Sequence, residues 1–249
     1  MRIIIFSFIF LVFSSLSFPI GKKDQKENAS PATLSSNGCE LLYEQMNLCE
    51  IMHFDAFKSA YTGYTKLNIN NNPLLTVIDF SLPSSEKRMY VLDLEKRKVL
   101  FVSYVSHGRN SGENFATSFS NLSGSHKSSL GFYRTAGTYN GSNGYSLQLD
   151  GLEEGINDKA RSRAIVIHGA DYCSEKVIKS TGRLGRSFGC PALPKELTKP
   201  VINTIKGGSL LFIYAGRPDY TAMSKVDKIS IEEHSVQYFK TIFKVLNLY

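Results

Sequence analysis

Apolar positions along the chain follow two periods, and each predicts a different kind of element. Leu41, Leu42, Met46 and Cys49 would share one face of a first helix. Phe57, Ala60, Tyr61 and Tyr64 follow at i, i+3, i+4 and i+7, the spacing of a second amphipathic helix with Asp55 as its cap. Such an aromatic stripe reads as core before it reads as a ligand platform. Asn70 to Pro73 is a turn, and from Leu74 short β-branched and aromatic runs take over. Leu75 to Phe80 predicts a strand. Met89 to Leu94 and Val99 to Val105, joined by charged residues 95–98, predict a hairpin. A further strand begins at 128–133, another runs from Tyr145 to Leu149 after the glycine turn 141–144, and Ala164 to His168 reads as a buried strand. Residues 151–160 read as an acidic loop or short helix. Pro194 suits the first turn of a helix ending near Ile205, closed by Gly207 and Gly208, and Leu210 to Tyr214 is a last strand. Ser230-Ile231-Glu232-Glu233 is a capping box that opens a C-terminal helix, with Val236, Phe239, Ile242, Phe243 and Leu246 on one side. That face would dock on the body or meet a partner. The predicted class is mainly β, of the α+β kind.

Three stretches fall outside this pattern. Arg2 precedes an apolar run, Ile3 to Phe13, that is too short to span a bilayer comfortably. Ser15-Leu16-Ser17 then offers small residues for cleavage, so 1–17 reads as a signal peptide with cleavage near Ser17 and an exported product. The alternative is an uncleaved anchor. Residues 18–38, rich in Lys, Ser, Asn and Pro, read as a disordered tether. They precede a domain over 39–216, with N-terminal helices, and a C-terminal extension over 217–249. The third stretch, 107–129, is polar throughout. A loop this long inside a compact domain is usually functional or mobile.

With 42% hydrophobic residues in 249, the chain can bury a real core, its bulk supplied by 13 Tyr and 16 Phe in place of Trp. The net charge of +7 is spread along the chain, with no zinc-finger spacing or basic helix, which argues against nucleic acid as a partner. An anionic envelope polymer fits an exported basic protein better. The four cysteines suggest no disulfide framework. Cys39 and Cys49 flank what reads as one helix, which would hold them about 15 Å apart, out of disulfide reach.

The candidate chemistry lies between Ile165 and Pro194. A β-branched run ends in His168-Gly169, and a loop rich in glycine and arginine ends in Ser187-Phe188-Gly189-Cys190-Pro191. A thiol is mostly protonated at neutral pH and needs a base, and that imidazole needs an orienting partner, which the Gly169 carbonyl could supply. Gly189 allows a sharp turn and leaves amide N–H groups near Cys190 for an oxyanion. Arg183 and Arg186 suit capture of a substrate carboxylate, or else pin the loop to backbone carbonyls. His107 either contacts substrate or fills a turn. Asp171 and Tyr172 either line the site or make ordinary loop hydrogen bonds. Cys173 reads as a small buried hydrophobe. A zinc site from His107, His168, Cys173 and Cys190 is the competing use of the same residues, but the spacings fit no standard module. The thiol reading calls for no cofactor.

These segments resemble the L,D-transpeptidases of bacterial cell walls, the YkuD-like fold family. They resemble more closely its murein L,D-transpeptidase catalytic-domain branch. The likeness runs from about Phe57 to Tyr214 and includes Ser106-His107-Gly108, Asn110-Ser111-Gly112-Glu113-Asn114, Ser128-Ser129-Leu130-Gly131, Leu149-Asp150-Gly151, His168-Gly169-Ala170-Asp171-Tyr172 and the run from Gly185 to Leu193. The 18-residue spacer from His168 to Ser187 is slightly longer than is usual in the family. Phe188 stands where a second histidine is common, and Ala192 where asparagine is. The resemblance implies a β-sandwich or barrel and a catalytic set of Cys190, His168, Gly169, Ser187 and Gly189. Arg183, Arg186, His107 and Tyr172 stay the candidates for binding substrate on the reading of the residues given above. It implies attack by Cys190 on peptidoglycan tetrapeptide stems. The acyl group would then pass to an amine, giving a 3→3 cross-link, or to water, in the periplasm or cell envelope and without membrane insertion once the signal is removed. The alternative is a non-catalytic wall-binding module that keeps the fold. A sortase-like enzyme needs an arginine soon after the cysteine, and none occurs between Cys190 and Arg217.

Overall fold

Strands β1 (Leu74–Asp79) and β2 (Met89–Asp93) bury nearly every side chain, the pattern of strands covered on both faces. They belong to a computed structural model that describes residues 31–67, 69 and 72–226. The expected signal peptide and the helix beginning near Ser230 lie outside the described residues. The remaining strands are β3 (Lys98–Ser103), β4 (Gly131–Gly141), β5 (Gly144–Gly151), β6 (Val166–Gly169), β7 (Ala192–Leu193) and β8 (Leu210–Tyr214). All eight form one mixed sheet in the order β3-β2-β1-β8-β4-β5-β6-β7, a nearly closed barrel. Neighbours are antiparallel except β1 with β8 and β6 with β7. The chain therefore inserts its last strand beside its first and leaves the β6–β7 pair at one end of the sheet.

Helices α1 (Pro31–Gln45) and α2 (Phe54–Leu67) precede the sheet, and α2 packs on β1 and β8. Gly63 is the contact point. A side chain there would run into the Phe132 ring, which fills the space instead and stacks on Phe212 with centroids 4.2 Å apart. Helix α4 (Lys195–Ile205) covers β5 and β6, burying Val201, Ile202 and Ile205. Pro194 sits at its N-cap, one residue earlier than the expected first-turn position. No helix among the described residues is long and apolar enough to cross a membrane.

Several local expectations need correction. Helix α1 starts at Pro31, inside the stretch read as a tether, and ends at Gln45. Asn47 turns left-handed at φ 51°, so Cys49 falls in a separate 3-10 turn, exposed and off the α1 face. All four cysteines are free. Asp55 lies in the first turn of α2 and does not cap it. Helices α3 (Glu175–Thr181) and α5 (Pro218–Met223) were not foreseen. α3 buries none of its residues and so leaves no apolar period to read. α5 closes on the body, where the Tyr220 hydroxyl donates to buried Glu153 at 3.0 Å. Glu153 also accepts the Phe132 N–H of β4 at 2.7 Å, so one carboxylate ties α5 to the sheet.

Candidate active site

Strand β6 delivers His168, and the loop before β7 delivers Cys190. Their parallel register sets His168 opposite Ala192 and Gly169 opposite Leu193, which brings Cys190 level with Val166. The Val166 N–H accordingly points at the Cys190 sulfur, 3.5 Å away. Along β6 the imidazole is then two residues further on, about 7 Å. The thiol itself donates to the Ala164 carbonyl at 3.6 Å and makes no hydrogen bond to His168. Ala164 adopts φ 54°, a left-handed conformation unusual for a residue with a side chain. Cys190 remains partly open to solvent.

His168 is buried, with Nδ1 3.0 Å from the Gly169 carbonyl. A carbonyl can only accept, so Nδ1 carries the proton and Nε2 keeps its lone pair. Burial holds this imidazole below its ordinary pKa, although the Gly169 carbonyl pulls the other way. Burial pushes the Cys190 thiol up, while the Val166 N–H and the Arg163 guanidinium pull it down. At neutral pH the resting state is thus a thiol beside a neutral imidazole rather than an ion pair.

Ser187 braces the loop. Its hydroxyl donates to the Cys190 carbonyl at 2.6 Å and accepts the Gly189 N–H at 3.0 Å. Gly189 sits at φ 123°, and a Cβ there would come within 2.8 Å of the Lys127 carbonyl. With the Gly189 N–H engaged, the Phe188 and Cys190 N–H groups are the amides of this loop that make no hydrogen bond among the described residues. The phenol of Tyr172 is pushed above its ordinary pKa, first by burial and then by the nearby Cys190 and Cys173 thiols.

The other expected substrate contacts are placed differently. Arg186 donates to the Arg109 and Gly112 carbonyls at 3.1 and 2.9 Å and to Glu113 at 2.7 Å. Arg183 reaches the same carboxylate at 3.1 Å and donates to the Leu184 carbonyl at 2.8 Å. In this state both guanidiniums hold the loop. His107 is a correction, because it has no exposed surface with which to touch a substrate. It is held inside by Arg88, whose Nη2 donates to His107 Nδ1 at 2.7 Å. Cys173 is fully buried, and no group of three or more His, Cys, Asp or Glu among the described residues is gathered for a metal.

Sequence reasoning named Phe188 without foreseeing its surroundings, and missed Arg163. Phe188 is 64% exposed, with the His126 ring 4.6 Å and the Arg109 guanidinium 5.6 Å from its centroid. The sequence shows a Phe in the glycine-flanked run before the cysteine, and only the structure shows it exposed. Arg163 lies behind Gly189 and anchors the long polar loop, donating to Ser120 O, Ser125 Oγ, Lys127 O and Ser129 Oγ. Nothing in its neighbourhood in the sequence marked it.

Fold and site together define a mixed-sheet domain with a cysteine and a histidine brought together across a parallel strand pair. The chain belongs to the L,D-transpeptidase catalytic domain family, whose model matches residues 49–214. No curated protein matches the sequence. Solved structures similar to it include an L,D-transpeptidase from Mycobacterium smegmatis, at 13% identity over 57% of this chain and 59% of that one, TM-score 0.36. The cell shape determining protein Pgp2 from Campylobacter jejuni is 14% identical over 75% of this chain and 65% of its own, TM-score 0.41. An L,D-transpeptidase from Xylanimonas cellulosilytica is 14% identical over 70% and 93%, TM-score 0.32. The match spans less than two thirds of the first two of these proteins. At these scores the family assignment rests on the sequence match.

Proposed function

We propose that this protein is an exported peptidoglycan L,D-transpeptidase or L,D-carboxypeptidase of the periplasm or cell envelope, acting through Cys190. The observation that carries the reading is the β6–β7 register, which sets His168 within two residues of Cys190 along one strand pair. Nε2 of neutral His168 takes the thiol proton once the side chain of Cys190 rotates away from the Ala164 carbonyl. The sulfur attacks the carbonyl carbon of the third stem residue. As the C–S bond forms and the C–N bond breaks, the imidazolium returns its proton to the departing D-alanine amine. An acceptor amine or water then attacks the thioester, the C–S bond breaks, and the thiol is restored. The Cys190 N–H is the donor available to the oxyanion. Tyr172 flanks the thiol and lines the acyl pocket. Arg183 and Arg186 meet a substrate carboxylate by exchanging it for Glu113.

The test is incubation with tetrapeptide stems. D-alanine release together with a mass shift on Cys190, both absent in Cys190→Ala, is the expected result. Neither signal from the intact protein would sink the reading. One observation favours a second reading, a wall-binding module that keeps the fold: the thiol rests against Ala164 and not against His168. In that case Cys190→Ala would bind peptidoglycan sacculi as the wild type does, and neither would release D-alanine.

A further inference from the structure

Arg163 is a half-buried cation, and none of its hydrogen-bond acceptors is an anion. Its four contacts are two carbonyls, Ser120 at 2.8 Å and Lys127 at 2.7 Å, and two hydroxyls, Ser129 at 2.6 Å and Ser125 at 3.3 Å. No carboxylate among the described residues pairs with it, although Arg134 and Arg161 both find Asp150 close by in the sequence. A charge withdrawn from water without a counter-ion is unfavourable unless something nearby uses it. Two ionisable groups act on it, the Tyr133 phenol on β4 and, after it, the nucleophile candidate. Nη2 would lie 3.4 Å from a Cβ at Gly189, the residue before Cys190. Arg163 is also followed by Ala164, whose carbonyl holds the thiol, and shortly by Val166, whose N–H reaches the sulfur. One short segment thus gives the Cys190 sulfur a carbonyl and an amide and sets a guanidinium against the residue before it.

We propose that Arg163 is a positioning residue that balances the charge of Cys190 as it becomes a thiolate, while its donor fork fixes residues 120–129 along the edge of the site. The inference builds on the proposed function only in taking Cys190 as the reacting sulfur. Its test reads ionisation of that sulfur and needs no peptidoglycan substrate, so either idea can fail alone. The loss of a partly buried opposite charge within a few ångströms raises an acid's pKa by about one unit or more. The other ionisable groups around the thiol and Arg163 are His168 on β6, Tyr172 after it, Tyr133 on β4 and Lys127 in the anchored loop. Both tyrosines are pushed above their ordinary range and stay neutral over the titration. His168 is held below its ordinary pKa and is neutral there too.

The experiment measures the pH dependence of Cys190 alkylation by iodoacetamide, read by peptide mass, in the full chain carrying Cys49→Ser to remove the exposed thiol. Arg163→Gln should raise the midpoint by about one unit and slow alkylation at pH 7.5 by about tenfold. Arg163→Lys, which keeps the charge and loses the fork, should stay within about 0.3 unit of the wild type on the same reasoning. A purely structural role would lower the melting temperature of both variants and leave both midpoints in place, which would overturn the proposal. If the Gln variant does not fold, the wild type decides through the guanidinium 15N resonances of Arg163. They should titrate with the Cys190 midpoint, and resonances flat across that pH range would equally overturn it.

Discussion

Arg88 donates a hydrogen bond to Nδ1 of His107 across 2.7 Å, and both side chains are fully buried. The pair fixes the protonation state of the imidazole, because a ring nitrogen that accepts from a guanidinium cannot also carry a proton. Burial, then the Arg88 charge, bring the His107 pKa down to about 3, with Arg183 and Arg186 adding smaller pushes in the same direction. The unfolded chain takes up this proton near pH 6.5, long before the folded chain does. Stability from this group is therefore complete above pH 6.5 and is lost as pH falls from there toward 3. The loss amounts to a few kcal/mol, at about 1.4 kcal/mol per pH unit. Urea midpoints at pH 7 and pH 4 should show a smaller difference in His107→Gln, which retains an acceptor for Arg88 and does not titrate. An unchanged difference would refute this account.

Gly189 cannot be replaced without strain. Its φ of 123° is disfavoured for other residues, and the Lys127 carbonyl stands where a Cβ would go. Gly189→Ala should cost about 1–3 kcal/mol in chemical denaturation. Alkylation of Cys190 should change in rate as well, since the same turn carries the sulfur.

His168 should set the acid limb of the rate profile. Its pKa is held below the ordinary histidine value, so the imidazole that the proposed mechanism uses as base stays neutral into mildly acidic solution. D-alanine release should fall as pH drops through that lowered value, with the limb lying below pH 6.5. His168→Ala should lower the rate by about 10²–10⁴-fold. A limb unmoved in His168→Ala would assign it to another group.

Gly63→Ala tests how α2 seats on the sheet. The Phe132 ring occupies the space a methyl would need and is itself locked between the helix and Phe212. Overpacking of this kind costs about 1–3 kcal/mol despite the better helix propensity of alanine. A thermal melt that shows stabilisation would mean the ring moves aside freely.

Glu113 is the common partner of Arg183 and Arg186 but is largely exposed. Exposed ion pairs contribute under about 1 kcal/mol each. Glu113→Gln should hardly shift the denaturation midpoint. If the two arginines exchange Glu113 for a substrate carboxylate, the same variant should lower KM for tetrapeptide stems with kcat little changed.

The strands were legible because each is a short apolar run with its own punctuation. Leu74–Asp79, the 89–103 hairpin, the β4–β5 turn and Leu210–Tyr214 all fall within a residue or two of the expected bounds except for the outer part of β4. Motif glycines and the His168 to Cys190 segment were legible for the same reason, since backbone demands and apolar period are written locally. What failed was contact made at a distance. Nothing beside Arg88 or His107 in the chain says that they meet across 19 positions, and that meeting turns an expected substrate residue into a core one. Arg163 has the same history, as does the engagement of Arg183 and Arg186 with Glu113 some 70 positions earlier.

The sequence by itself determined the sheet-forming segments, the class, and which two side chains carry candidate chemistry, because hydrophobic period and turn residues act over a few neighbours. Tertiary structure alone decided that β7 runs parallel to β6, that Ser187 serves as a brace, and that the thiol rests on Ala164, with the Arg163 guanidinium, bound only to carbonyls and hydroxyls among the described residues, against Gly189. Those outcomes depend on which charges and hydrogen-bonding groups are taken out of water together, and that is settled only when remote parts of the chain close on one another.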